Sequence, residues 1–307
     1  MYLGLKSLLV PYFGQPEEHR MIDFVCSIAP EMGTHISVVY MSRILKELGV
    51  EQRKGYQLRY KSEGFKSAMV YLDELYQSQL KSDADNVRIV IAKRFEDENI
   101  PEFQAGDPMG VDSINYSWDQ SLAMNADMSV VLTNRAIVSD LVVISASALE
   151  VGGQRDPLME VIRDSGRPLI IVPSGKGISV SGPRRIIIGW KKTAHTVRAM
   201  TAALPLLRAA HEVLVLEIAE SNISNDNDVS HSDVVQWLLR HGVKAESTRR
   251  VDLSGNAETV FDEEMDRFQA DLLVVGAYSR WRMREIIFGG FTQHLLSTMR
   301  VPTLFSY

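Results

Sequence analysis

SDLVVIS (Ser139–Ser145) and ADLLVVG (Ala270–Gly276) are two versions of one phrase, an aspartate followed by four apolar residues. Such a run is too short for a helix and does not alternate with polar residues. It reads as a strand buried in a parallel sheet. Each version is followed by a second matching phrase, RPLIIVPS (Arg167–Ser174) in one case and RVPTLFSY (Arg300–Tyr307) in the other. Two such pairs in the same order predict that the chain is an internal duplication.

Working outward, each pair closes a longer series. In the first half, apolar runs at Leu5–Tyr12, His35–Met41, Val87–Ala92, Asp140–Ser145 and Pro168–Val172 are expected to be strands. Phe65, Met69, Leu72, Tyr76 and Leu80 recur at helical spacing between the second and third runs, and another helical pattern covers Leu122–Val138. PSGKGISVSGPR (Pro173–Arg184) breaks the series and reads as a linker. The series then restarts with strands at Arg185–Trp190, Glu212–Ile218, Val243–Arg250, Asp271–Gly276 and Val301–Ser306. Helices run through Val197–Leu207, where Pro205 predicts a kink, through Val234–Leu239, stopping at Gly242, and through Val260–Phe268.

The expected architecture is α/β: domains at 1–178 and 183–307, each a doubly wound, five-stranded, mostly parallel sheet in 3-2-1-4-5 order. The last strand of each half is an apolar edge, so the two are expected to pair within the chain and the protein to form a homodimer.

Composition narrows the function. With 307 residues, 45% of them hydrophobic, the chain is long enough for two globular domains and is not disordered. Its 33 basic and 39 acidic residues give a net charge of −6, which disfavours nucleic-acid binding. No apolar run reaches the roughly 20 residues that span a bilayer, and the single Cys26 fits a reducing compartment, so the cytoplasm is the expected location. Cys26 lies in an apolar helical segment and reads as core. The seven histidines form no HxH or HExxH spacing, so no metal site is expected. No nucleophile, base and orienter can be assembled, and no catalytic residue is assigned. Glu263 and Glu264 are expected to be solvated.

The chemistry concentrates in GAYSRWRMREIIFGGFTQHLLSTM (Gly276–Met299), which follows a strand and leads into a helix beginning near Gly290 or Phe291. Ligands of open α/β sheets sit beyond the carboxyl ends of strands, and a helix N-terminus there suits an anion. Glycine lets the backbone approach a phosphate, Thr292 adds a hydroxyl, and Arg280, Arg282 and Arg284 add positive charge. The competing reading is that Gly276 and Gly289 serve tight turns and close helix–sheet packing alone, and at least one arginine is expected to be solvated. Trp281 is a candidate contact residue.

This stretch resembles the universal stress protein (UspA-like) signature G-x2-G-x9-G-[ST], and the duplicated chain resembles the family's tandem members. Gly276 matches the first glycine and Gly289 the third, whereas Ser279 replaces the second and Gly290 the hydroxyl residue. The family's binding members place an aspartate after the first strand, where this chain reads Gly189-Trp190-Lys191-Lys192, with Lys191 in the aspartate's place. Ile218 falls where the family packs an apolar residue on adenine. The resemblance implies a non-enzymatic stress-response or regulatory protein holding ATP or ADP, with accompanying Mg²⁺. The implied site is in the C-terminal half only: Gly189, Trp190, Lys191, Ile218, Gly276, Ser279, Arg280, Gly289, Gly290, Phe291 and Thr292. In the first half, ASALEVGGQRDPLMEV after Ser145 lacks the glycine spacing, and Gly152-Gly153 reads as a turn before a helix near Asp156-Pro157.

Two other readings stand beside this one. One is a ligand-free structural adaptor. The other is an enzyme of the related nucleotide-binding α/β superfamily, a nucleotidyl transferase or ATP pyrophosphatase, whose HxGH and SGGxDS loops are absent.

Overall fold

The computed structural model describes residues 4–41, 63–104, 106, 113–120, 128–150, 164–174, 182–219, 230–252, 256–276 and 299–306. The first half contains β1 (Ser7–Tyr12), α1 (His19–Met32), β2 (His35–Tyr40), α2 (Glu63–Asp97), β3 (Asn115–Asp119), α3 (Met128–Ile137), β4 (Leu141–Ser145), the one-turn α4 (Ser147–Glu150) and β5 (Leu169–Val172). The second contains β6 (Arg185–Trp190), α5 (Ala194–Ala209), β7 (Glu212–Ala219), α6 (His231–Arg240), β8 (Ala245–Val251), α7 (Ala257–Phe268), β9 (Leu272–Gly276) and β10 (Thr303–Ser306). Residues 175–181 of the expected linker lie outside the described residues.

Each half has the strand order 3-2-1-4-5. The halves are joined edge to edge, giving one sheet ordered β3-β2-β1-β4-β5-β10-β9-β6-β7-β8. Pairing is parallel everywhere except at the seam, where β5 and β10 run antiparallel. The registers superimpose the halves: Ser7 faces His35 as Arg185 faces Glu212, and Leu8 faces Leu141 as Ile186 faces Leu272. By the same count Ile170 corresponds to Leu304, and these two residues face each other across the seam, so the pseudo-twofold axis passes through that pair. The seam satisfies backbone groups that two separate domains would leave open on an apolar edge.

The repeated aspartate has a structural task. Asp140 Oδ2 accepts hydrogen bonds from the N–H groups of Lys6 and Ser7, at 2.8 and 3.0 Å. Asp271 repeats this with Arg184 and Arg185, at 2.8 and 2.9 Å. In both halves the carboxylate ties the start of the fourth strand to the start of the first. Burial holds the Asp271 carboxyl above its usual range against these bonds.

Helices cover both faces of the sheet. α1 turns Ile22, Phe24, Val25 and Ile28 inward and stops at the left-handed Gly33, φ +57°. Thr193 caps α5, its Oγ1 accepting from Thr196 N–H at 3.2 Å, and the helix continues through Pro205 to Ala209. Ser230 and Asp233 form a capping box on α6, and Gly242, φ +78°, follows its end.

The expected third strand of the first half is wrong. Val87–Ala92 is part of the 35-residue helix α2, and β3 is Asn115–Asp119. Ala84, Ile91 and Phe95 are buried at helical spacing, whereas Ile89 is 69% exposed and Val90 46%. Five of the six residues are apolar, four of them in succession from Ile89 to Ala92, and they imitate a strand, but only one side of them is covered.

Candidate functional site

The carboxyl ends of β7, β6 and β9 form one rim in the second half. Gly189 faces Leu216 on one side and Val275 on the other, and Trp190 faces Glu217. Lys191, Ile218 and Gly276 therefore come together on adjacent strand ends. Lys191 is exposed, and Ile218 is half-buried against the cluster under α7. Trp190 turns the other way into the core shared with α5 and is 8% exposed, so its ring is framework.

Both described glycines of the predicted site are packed against protein. A Cβ on Gly189 would meet Val275 Cγ1 at 3.0 Å and Phe261 Cε2 at 3.6 Å. A Cβ on Gly276 would lie 2.4 Å from Thr196 N and 2.7 Å from the carbonyl carbon of His195. The first turn of α5 thus rests directly on the end of β9, and no side chain fits between them. Gly276 serves helix–sheet approach at this point. Ser279, Arg280, Gly289, Gly290, Phe291 and Thr292 lie outside the described residues, as do Trp281, Arg282 and Arg284.

The rim also carries ionic side chains that the spacing of motifs did not single out. His231, the first residue of α6, donates from Nδ1 to Glu217 Oε2 at 3.1 Å, and Arg249 Nε lies 3.8 Å from the same oxygen. Behind it, Arg250 donates to Glu264 at 2.6 Å. Glu264 is 6% exposed, which corrects its expected solvation, whereas its neighbour Glu263 is exposed. On a helix, adjacent residues point apart, and α7 turns Glu264 inward to meet the arginine on β8.

The first half closes the equivalent rim. Register places Phe13 where the second half has Lys191, Met41 where it has Ile218, and Ser145 where it has Gly276. Phe13 and Met41 are 5% and 1% exposed. The turn after β1 is held by a carboxylate of its own: Glu18 Oε2 accepts from the N–H groups of Phe13 and Gln15 at 3.0 and 2.9 Å. Glu18 is fully buried, and burial together with that carboxylate raises the Tyr12 phenol well above its usual range. Gly14, φ +80°, completes the turn, and α2 covers it with Val87. The signal in the sequence was Gln15-x-x-Glu18, a capping box around a one-turn 3-10 helix. Ser145 bonds Ser147 at 2.8 Å in a buried contact, while Gly152-Gly153 and Asp156-Pro157 lie outside the described residues.

A cavity of about 60 Å³ lined by Phe261, Met265, Leu273, Met299 and Val301 opens at the opposite, amino end of β9. It is too small for a nucleotide. Among the described residues, no group of three His, Cys, Asp or Glu side chains is placed to hold a metal. Among them, too, no helix is long and apolar enough to cross a membrane.

No family profile matches the sequence, and no curated protein matches it. The fold does have counterparts among solved structures. A universal stress protein from Archaeoglobus fulgidus DSM 4304 is similar over 99% of this chain and 97% of its own, with a TM-score of 0.65 at 13% identity. A functionally unknown protein from Pseudomonas aeruginosa PAO1 is similar over 98% of this chain and 92% of its own, with a TM-score of 0.49 at 11% identity. The chain has the universal stress protein fold, and its own registers give that fold twice.

Proposed function

We propose that this is a non-catalytic, cytoplasmic regulatory protein of the universal stress protein type that takes up one adenine nucleotide, ATP or ADP, in its second half. The observation that carries this reading is the difference between the two rims. In the second half an exposed lysine, a half-buried isoleucine and the start of the glycine-containing stretch share one rim. In the first half the same positions are filled by buried Phe13, Met41 and Ser145. Lys191 attracts phosphate as a point charge and cannot accept a hydrogen bond from ribose, so recognition leans on the phosphates. Mg²⁺ would arrive with the nucleotide.

The ligand-free adaptor has an observation of its own in its favour. The space that a missing Cβ leaves at Gly276 is taken by Thr196, not left for a phosphate. Chromatography of the small molecules released by heating protein purified without added nucleotide separates the two readings. A near-equimolar adenine nucleotide supports the first. Its absence, with no uptake from a millimolar solution, leaves the adaptor.

A further inference from the structure

The register that superimposes Ser7 on Arg185 also carries Gln15 onto Thr193 and Glu18 onto Thr196. Capping confirms the match. Gln15 and Thr193 are the N-caps of the turns that follow β1 and β6, and Glu18 and Thr196 are the third residues of those turns. Both third residues are buried, at 0% and 2% exposure. They lie where the strand order reverses, between β1 and β4 and between β6 and β9, the switch point at which open α/β sheets keep their ligand crevice.

The matched turns are opposite in charge. Phe13-Gly14-Gln15-Pro16-Glu17-Glu18 carries two carboxylates, and Lys191-Lys192-Thr193-Ala194-His195-Thr196 carries two ammonium groups. In the first half the buried charge has a defined task. Glu18 Oε2 gathers the N–H groups of Phe13 and Gln15 onto one oxygen, at 3.0 and 2.9 Å. Converging N–H groups of a turn are a means of holding an anion, and here the anion belongs to the chain itself. The second half has a neutral threonine at this place, too short to reach back across its turn. Thr196 Oγ1 pairs with Thr193 Oγ1 at 2.9 Å, and Thr193 N–H, the counterpart of Gln15 N–H, donates to Lys191 O at 2.7 Å.

We propose that Glu18 is a built-in anion at the place where a nucleotide phosphate sits in the second half, and that the residue at this place, Glu18 or Thr196, decides which half binds. The inference rests on the nucleotide reading of the second half. Phosphate enters beside Lys191 because no carboxylate of residue 196 precedes it, and the first half excludes it by charge as well as by Phe13 and Met41. Titration calorimetry of the full chain with ATP tests this. Thr196→Glu, which restores the carboxylate of the first half, is expected to weaken binding by about tenfold or more, with unchanged circular dichroism. Thr196→Gln, equal in length and uncharged, is expected to bind about tenfold or more tighter than Thr196→Glu. Ala194→Glu adds the same charge to an exposed position of the same turn and is expected to stay within about threefold of wild type. A Thr196→Glu variant that binds as well as wild type overturns the inference and leaves the nucleotide reading standing. So do equal losses in the Glu and Gln variants, which would assign the effect to bulk, or an equal loss in Ala194→Glu, which would assign it to net charge. A wild type that takes up no ATP overturns the inference together with that reading. If Thr196→Glu loses its folded signal, Thr196→Asp, a shorter acid favoured in a first helical turn, takes its place with the same outcomes.

Discussion

The two halves solve one structural problem in the same way and a second in opposite ways. Both tie strand starts together with an aspartate, Asp140 and Asp271, and both bury the fourth strand completely in its apolar run. At the carboxyl rim they diverge. The first half fills it with Phe13 and Met41 and satisfies its turn with the buried Glu18. The second leaves Lys191 in solvent and Ile218 half-covered. The sheet that both halves share can therefore be held constant while, among the described residues, one rim becomes core and the other keeps Lys191 exposed and Ile218 half-buried.

Exchanging residues at equivalent positions tests how deep that divergence goes. Gly276→Ser places a Cβ against the backbone of α5, 2.4 Å from Thr196 N, and should destabilise the protein by about 3 kcal/mol or more in urea titration. The reverse change, Ser145→Gly, should cost only about 1–2 kcal/mol, through the lost Ser147 hydrogen bond and added chain entropy. Equal costs would mean that the α5 contact is not what requires glycine. Glu18→Ala leaves two N–H acceptor needs unmet and should cost about 2–3 kcal/mol. Lys191→Ala, at the open rim, should leave stability within about 0.5 kcal/mol and weaken only nucleotide binding.

A matched pair of changes sharpens the likeness between the halves. Asp140→Ala and Asp271→Ala each remove an acceptor for two backbone donors and should each cost about 2 kcal/mol, matched to within about 1 kcal/mol. A large mismatch would show that the two clamps are not equivalent. The smallest signal is chemical: burial pushes the Cys26 thiol up to about 12, so a thiol reagent at pH 8 should label it only as fast as the protein opens. Prompt labelling of the native protein would place Cys26 outside the core.

Much of the fold was legible because the repeated phrases are strands buried on both faces, whose apolar runs have no other reading. SDLVVIS and ADLLVVG became β4 and β9, and RPLIIVPS and RVPTLFSY supplied the strands of the seam. β3 was not legible. As an end strand it reads Asn-Tyr-Ser-Trp-Asp, with only Tyr116 buried, while the helical Val87–Ala92 is the more strand-like in composition. That Lys191, Ile218 and Gly276 would share one rim was legible, because strand ends follow once strands are placed. The packing of Gly276 against α5 was less so, since a glycine at a strand end reads the same whether a phosphate or Thr196 occupies the space. Glu264 was misread because its partner, Arg250, is close only through the pairing of β7 with β8 and the packing of α7.

The central claim is that only the open rim takes nucleotide, and titration calorimetry with ATP and ADP tests it most directly. The account predicts weak binding at one site per chain, lost in Gly289→Val without loss of the folded sheet and unchanged in Phe13→Ala at the closed rim. No heat of binding at millimolar nucleotide, two sites per chain, or a Gly289→Val variant that binds as well as wild type would contradict it.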